Sequence, residues 1–414
     1  MPVADGYPTA LNIVWMPDKP ARDPYLILGA LSAFGPLAVD FYLPGFPAIA
    51  LAFGTDEKHV QLTLASYFLG LSIGQLAYGP VADRFGRRIP LLFGTSLFTL
   101  ASLACAFAPN REWLIGARFV QALGGCVGMV IARAIVSDKC DAVQSAKVFS
   151  QLMLVMGLAP ILAPMLGGLL VNLYRWQSIF ISLTAFSALA SLAVGLPESM
   201  PATHPRLPLS GALTQYRRLL GDRIFLGQAL TGGTAMAGMF SYIAGSPFVF
   251  IKLYEVPPEH YGWLFGTNAA GFILVSQLNA RLVGKQGPTF LLSRVIWMYL
   301  AAALALLAIA SLRTEQLWPL LVPLFICIAC LCSIAPNASA CAMNGQWASA
   351  GSASALLGCL QLSVAAAAAL VGVLHDGTAL PMALVNSLCG ALAVTLAMLT
   401  RRLQHKRDVA LQLS

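Results

Sequence analysis

Charge is scarce in this sequence. Asp, Glu, Lys and Arg together make up 10% of its 414 residues, against about a quarter in soluble domains. Apolar residues make up 58%, and the mean hydropathy is +0.75. This balance excludes a water-soluble globular protein. Histidine is rare, and His59, His204, His260, His375 and His405 all fall between apolar runs or in the tail. They assemble into no metal-ligand spacing and no nucleophile–base pair. That argues against a membrane-embedded enzyme, a metal site or a bound cofactor. The nine cysteines sit mostly inside apolar runs, and their odd number does not fit a disulfide framework. Cys327, Cys330 and Cys332 are closely spaced in LFICIACLCSIA, but no His or acid stands beside them. They read as small packing residues. Met1–Asp23 lacks the basic-then-apolar order of a signal peptide, so the first apolar run is expected to stay as a membrane helix. No long polar segment offers the soluble domain of a signalling receptor.

What the chain has instead is apolar length. Twelve runs, each near the roughly 20 residues that cross a bilayer, lie at about 25–46, 60–81, 89–108, 112–136, 148–171, 176–196, 223–246, 259–280, 289–311, 316–336, 351–374 and 379–400. Connections are short except one. Residues 197–222 carry Pro197, Pro201, Pro205 and Pro208, then Arg217 and Arg218, and read as a polar linker. The expected organisation is a tail (1–24), a six-helix bundle (25–196), the linker (197–222), a second six-helix bundle (223–400) and a tail (401–414). Of the 25 Lys and Arg residues, seventeen fall on one side of this topology and five on the other, leaving Arg118, Arg133 and Arg294 at membrane depth. The positive-inside rule then puts both termini in the cytoplasm. It also explains the net charge of +8 without a nucleic-acid partner. A weak repeat, ADRFGRR (Ala82–Arg88) after the second run and NARLVGK (Asn279–Lys285) after the eighth, points to parallel halves.

One acid stands well inside any of these runs: Asp40, in PLAVDFYLPGFP (Pro36–Pro47). A charge at that depth costs several kcal/mol unless it serves something. Pro44 and Pro47 follow at once, so the helix should bend just past the acid. Three further stretches have ordered spacings. GPVADRFGRR (Gly79–Arg88) puts Asp83 at a helix end among Arg84, Arg87 and Arg88, with Gly79 and Gly86 for close packing and reversal. RFVQALGG (Arg118–Gly125) puts an arginine about 9 Å inside its run. MGLAPILAPMLGG (Met156–Gly168) is a helix with little bulk and missing donors. Arg133, about 22 Å beyond Arg118, and Arg294 are expected to snorkel to the interface.

The Gly79–Arg88 spacing resembles the signature loop of the major facilitator superfamily, in which these residues stabilise one access state. The Arg118–Gln121 spacing looks like that superfamily's fourth-span motif, whose arginine faces the proton site; Ala122 stands where the motif has Gly, and Gly124 and Gly125 follow. The order Gly157, Pro160, Pro164, Gly167, Gly168 is similar to the motif that marks drug–proton antiporters and is generally missing from symporters. DFYLPGFP, LPES (Leu196–Ser199) and AGMFSYIAGSPFVF (Ala237–Phe250) look like the Bcr/CflA drug-resistance transporters of bacterial inner membranes. The resemblance implies an all-α integral membrane fold of twelve helices in two pseudo-symmetric six-helix bundles. It implies a monomer that exchanges an outgoing lipophilic, drug-like molecule for an incoming proton by alternating access. Asp40 and Arg118 would handle the proton. Gly79, Asp83, Arg84, Gly86, Arg87, Arg88, Gly157, Pro160, Pro164, Gly167 and Gly168 would form the conformational switch. The helices that face the centre in this fold offer Tyr42, Tyr67, Met239, Phe240, Tyr242, Phe248, Asn268, Asn337 and Gln361 for substrate binding, a set suited to flat, weakly polar molecules. The alternative is a proton symporter importing a small metabolite, which should show more charged or amide groups inside its runs.

Overall fold

The computed structural model describes residues 24–193, 198–200, 209–314, 316–372 and 378–413. Among these the regular secondary structure is entirely helical. The N-terminal half contains α1 (Pro24–Asp40), α2 (Phe46–Ala52), α3 (Glu57–Phe85), α4 (Arg88–Ala106), α5 (Arg111–Lys139), α6 (Ala142–Leu173) and α7 (Gln177–Ala193). The short helix α8 (Ala212–Gly221) precedes the second half. That half contains α9 (Arg223–Pro247), α10 (Pro258–Gln286), α11 (Pro288–Ser311), α12 (Trp318–Met343), α13 (Ala350–Gly372) and α14 (Leu380–Leu413). Every predicted apolar run coincides with a helix, the first with the broken pair α1–α2. Among the described residues, eight helical stretches are long and apolar enough to cross a membrane by length and composition alone.

The chain reverses where its own residues cap the next helix. Asn110 accepts the Trp113 amide (2.8 Å), Asp141 that of Gln144 (2.7 Å) and Asp222 that of Ile224 (3.0 Å), satisfying orphan donors of the first turn. Two predicted boundaries move. Residues 401–413 continue α14 rather than forming a separate tail, because Arg401, Arg402, Gln404 and Lys406 end the apolar face but favour helix. The linker region contains α8, which buries Leu219 and exposes Arg217 and Arg218.

Packing inside the two halves follows one plan. In the first, α3 and α4 pack on α5, α4 on α7, and α1 on α6 and α5; in the second, α10 and α11 pack on α12, α11 on α14, and α9 on α13 and α12. Each pair maps onto its counterpart six spans later, and each half has its own apolar core. Small residues allow the closest contacts. A side chain at Gly128 of α5 would strike the Leu31 carbonyl of α1, and one at Gly124 would strike the α4 backbone. The halves meet through α3 with α13, α6 with α10, α6 with α12 and α5 with α13. This interface also repeats itself: the second contact is the first after exchange of halves, and the third is the fourth.

Candidate transport cavity and interhelical switch

A cavity of about 60 Å³ lies between the halves. From the first half it is lined by Ser32 of α1, Met129 and Arg133 of α5, and Phe149, Leu152 and Met153 of α6. From the second it is lined by Met236 of α9, Ser339 of α12, and Gly358, Gln361 and Leu362 of α13, among others. A smaller space of about 10 Å³ adjoins it, between Met153, Met236, Met239 and Phe272. Methionine is the recurrent lining residue. Its unbranched thioether chain adapts to irregular shapes, and it is over-used at promiscuous binding surfaces.

Of the predicted binding residues, Gln361 and Met239 reach these spaces. Gln361 also donates to Ser339 (3.2 Å). Asn337 does not line the cavity: it is fully buried, and its Nδ2 donates to Asn279 Oδ1 (2.8 Å) and the Ser333 carbonyl (2.8 Å). Asn268 donates to the Tyr242 hydroxyl (3.1 Å) within the second half, while its own amide oxygen is buried without a partner. Phe240 and Phe248 are half-buried and packed away from both spaces. Arg133 needs correction in the other direction. It lines the cavity instead of snorkelling, and its Nη1 donates to the Ser354 carbonyl of α13 (3.3 Å). A helix end reads as an interface in sequence, but α13 covers this one. Arg294 is exposed and lies over the Phe290 ring (5.2 Å).

Tyr42 and Tyr67 belong to a different place, the interior of the first half, where they enclose Arg118. The guanidinium is fully buried, 4.5 Å from the Tyr42 ring centre and 4.2 Å from that of Tyr67. Tyr42 is itself held by a hydrogen bond with Thr63 (2.6 Å). Arg118 Nη1 donates to Gln121 Oε1 (2.6 Å) and to the Ala38 carbonyl (3.2 Å). That carbonyl is free because α1 breaks. The Tyr42 amide, which would complete the helix by bonding Ala38, turns to Val39 (3.2 Å). Arg118 therefore ties α5 to the break that follows Asp40. Arg118 makes no ion pair with Asp40. The half-buried Asp40 has no ion-pair partner among the described residues, and Arg118 Nε and Nη2 have no hydrogen-bond partner.

The α3–α4 turn forms a buried ionic cluster. Asp83 caps a helix of the other half, accepting the amides of Gly351 (2.7 Å) and Ser352 (2.8 Å) and the Ser352 hydroxyl (2.6 Å) at the start of α13. Arg87 bonds Asp83 (3.1 Å) and, through Nε (2.9 Å) and Nη2 (3.1 Å), the Asp138 carboxylate. Burial opposes the charge on Arg87, but Asp138 and Asp83 outweigh it and hold the guanidinium above its ordinary pKa. Glu198 accepts the Arg87 (2.8 Å) and Arg88 (3.2 Å) amides at the start of α4, and Ser199 donates to Asp138 (3.1 Å). Gly86 makes the turn with φ of +86°, and a side chain there would collide with Glu198. Gly79 lets α3 approach Ala355 of α13 and Tyr216 of α8. The side chains of Arg84 and Arg88 are exposed. In α6, Gly167 packs on the Phe41 backbone, a side chain at Gly168 would come within 3.8 Å of Pro44, and Pro164 is half-buried. The antiporter-like stretch thus meets the α1 break. Gly157 and Pro160 fall where only the helical backbone is described.

Sequence reasoning missed Asp138, Glu198, Ser199, Gly351 and Ser352. LPES marked two of them by likeness without a role. The others carry no local signal, because their partners lie far away in the chain.

The profile of the Major Facilitator Superfamily matches residues 27–370. An uncharacterized MFS-type transporter, YdgK of Bacillus subtilis, is 38% identical over 342 residues, covering 81% of this chain and 85% of that protein. A bicyclomycin resistance protein homolog of Haemophilus influenzae is 31% identical, covering 82% of this chain and 86% of its own length. The crystal structure of FucP, a Major Facilitator Superfamily transporter, superimposes with a TM-score of 0.71 at 16% identity, over 91% of this chain and 98% of that one.

Proposed function

The chain belongs to the Major Facilitator Superfamily, a family of membrane transporters and not enzymes, and on that premise we propose that it exports lipophilic, drug-like molecules in exchange for protons. It would work by alternating access as a monomer in a bacterial inner membrane, with both termini cytoplasmic. The observation that carries this reading is the methionine-lined cavity between the two halves, with helix junctions that can close one end of it. The relative named for bicyclomycin resistance supports a drug as cargo. The distribution of Lys and Arg supports a cytoplasmic Asp83–Arg88 turn. The cross-half hydrogen bonds of Asp83, Arg133, Ser150 and Ser354 all lie toward that end.

Asp40 is the proton carrier in this proposal. Facing the periplasm it takes a proton, and facing the cytoplasm it releases that proton as drug binds. Arg118 is the buried cation available to the deprotonated acid, with two donors unused. Because α6 packs on the backbone just past Asp40, a change at the acid reaches a helix of the cross-half interface. The test is substrate-induced proton movement in vesicles containing the purified protein. Asp40→Asn should insert and bind drug, but release no protons and fail at uphill export. Uphill export by Asp40→Asn with wild-type pH dependence would place the coupling acid elsewhere.

A further inference from the structure

We propose that Arg133, with Gln75 beside it, makes the cavity selective for apolar molecules that carry a carboxylate or another oxyanion. Arg133 is the one ionisable side chain lining the cavity, and no acid lines it. Among the described residues it has no carboxylate in ion-pair reach, and its hydrogen bond to the Ser354 carbonyl is long. Gln75 of α3 supplies a second, independent observation: it is fully buried, and neither its amide oxygen nor its nitrogen has a partner. The two side chains converge on one spot. A methyl group on Gly358 would collide with Gln75 Oε1 and lie 2.7 Å from Arg133 Nη1. With no side chain at position 358, the donor-rich guanidinium and the unsatisfied carboxamide both reach in against the α13 backbone at the cavity wall.

Unpaired polar groups in a dry interior are costly, and an unpaired cation most of all. A ligand oxyanion relieves both. It takes two parallel N–H bonds from the guanidinium fork and one from the Gln75 amide, while its apolar body rests on Met129, Met153 and Met236. A lipophilic cation meets the opposite situation: repulsion from Arg133 and no carboxylate on the walls. Outward movement of an anion is also favoured by an inside-negative potential. The inference rests on the reading of this cavity as the substrate site.

The experiment compares three probes of one shape, 2-naphthoate, 2-naphthamide and 2-naphthylmethylammonium, binding to the full-length protein in detergent. Wild type should bind the carboxylate most tightly and the ammonium least. Arg133→Gln should weaken carboxylate binding by roughly ten- to a hundredfold and leave the amide little changed. Gly358→Ala keeps the charge but pushes Gln75 and Arg133 out of position, so it should weaken the carboxylate selectively even if Arg133→Gln does not fold. Met153→Ala should weaken all three probes alike. Equal binding of the three by wild type, or an undiminished carboxylate preference in Arg133→Gln, would overturn the proposal. Binding in detergent needs no gradient, so the two readings fail separately. Charge preference without uphill export sinks the antiport reading alone, and export with an unchanged preference in Arg133→Gln sinks this one alone.

Discussion

Two junctions hold the halves together at the same end, and they occupy equivalent positions in the repeat: α3 against α13, and α10 against α6. Both α3 and α10 end in a left-handed glycine, Gly86 at φ +86° and Gly287 at φ +78°. Three residues earlier the first has Asp83 and the second Gly284. This corrects the expected alignment of Ala82–Arg88 with Asn279–Lys285, which is out of register with the two glycines. The first junction is ionic. The second is neutral: Ser276 donates to the Ser150 carbonyl, Asn279 to the Ser150 hydroxyl (2.8 Å) and Gln277 to Gln151 (3.3 Å). Capping separates them further. The start of α6 is capped by its own Asp141, whereas that of α13 is capped by Asp83 from the opposite half. A self-capped helix is indifferent to what its neighbour does. One capped across an interface loses its cap when the interface opens, so closure and helix stability become one equilibrium. Hydrogen bonds to charged groups contribute about 1.5–3 kcal/mol against about 0.5–1.5 for neutral ones, so the first junction is the stronger.

The largest expected effect is at Asp83. Asp83→Asn removes the charge shared by Arg87 and the α13 amides, and should destabilise the closed turn end by about 3 kcal/mol. Spin-label distances across α3–α13 should then broaden toward an open state. Asn279→Ala at the neutral junction should broaden the α6–α10 distance less, by about 1–2 kcal/mol. Equal responses would erase the contrast.

A middle-sized effect separates the two glycines. Gly86→Ala and Gly287→Ala both force a side chain into left-handed backbone, at about 1–2 kcal/mol. Only the former also displaces Glu198, since nothing lies within 4 Å of a side chain at position 287. Thermal unfolding in detergent should show Gly86→Ala as the more destabilised, and the reverse order would discount the Glu198 cluster.

The smallest effect is a transplant. Gly284→Asp puts an acid where the repeat lacks one, beside Lys147, whose Nζ would lie 2.7 Å from the new Cβ. Because Lys147 is exposed, the pair should contribute no more than about 1 kcal/mol. Transport should slow modestly, and Lys147→Ala should restore it. A Gly284→Asp variant as slow as Asp83→Asn would mean that the junctions are not tuned by charge.

Much of this is legible in the chain's local patterns. Helix positions follow from apolar run lengths, and the break after Asp40 from Pro44 and Pro47, because both signals are local. The turn motif is legible as a cluster, but its members are not separable by pattern. Arg87 turns inward onto Asp138 while Arg84 and Arg88 stay in the open. Aromatic character places Tyr42 and Tyr67 in the cavity, whereas burial against Arg118 places them in the interior of the first half.

That this chain spans a membrane many times, in two repeated halves, with one acid deep in its first span, is written in its segments. Apolar length, charge distribution and the cost of an isolated acid in hydrocarbon belong to each segment by itself. Three outcomes come from tertiary packing instead: Asp83 caps α13, Arg118 serves a backbone carbonyl and not Asp40, and Arg133 faces a cavity. They depend on which helix covers which. Coverage is set by packing between residues as distant in the chain as Asp83 and Ser352, where no local pattern records it.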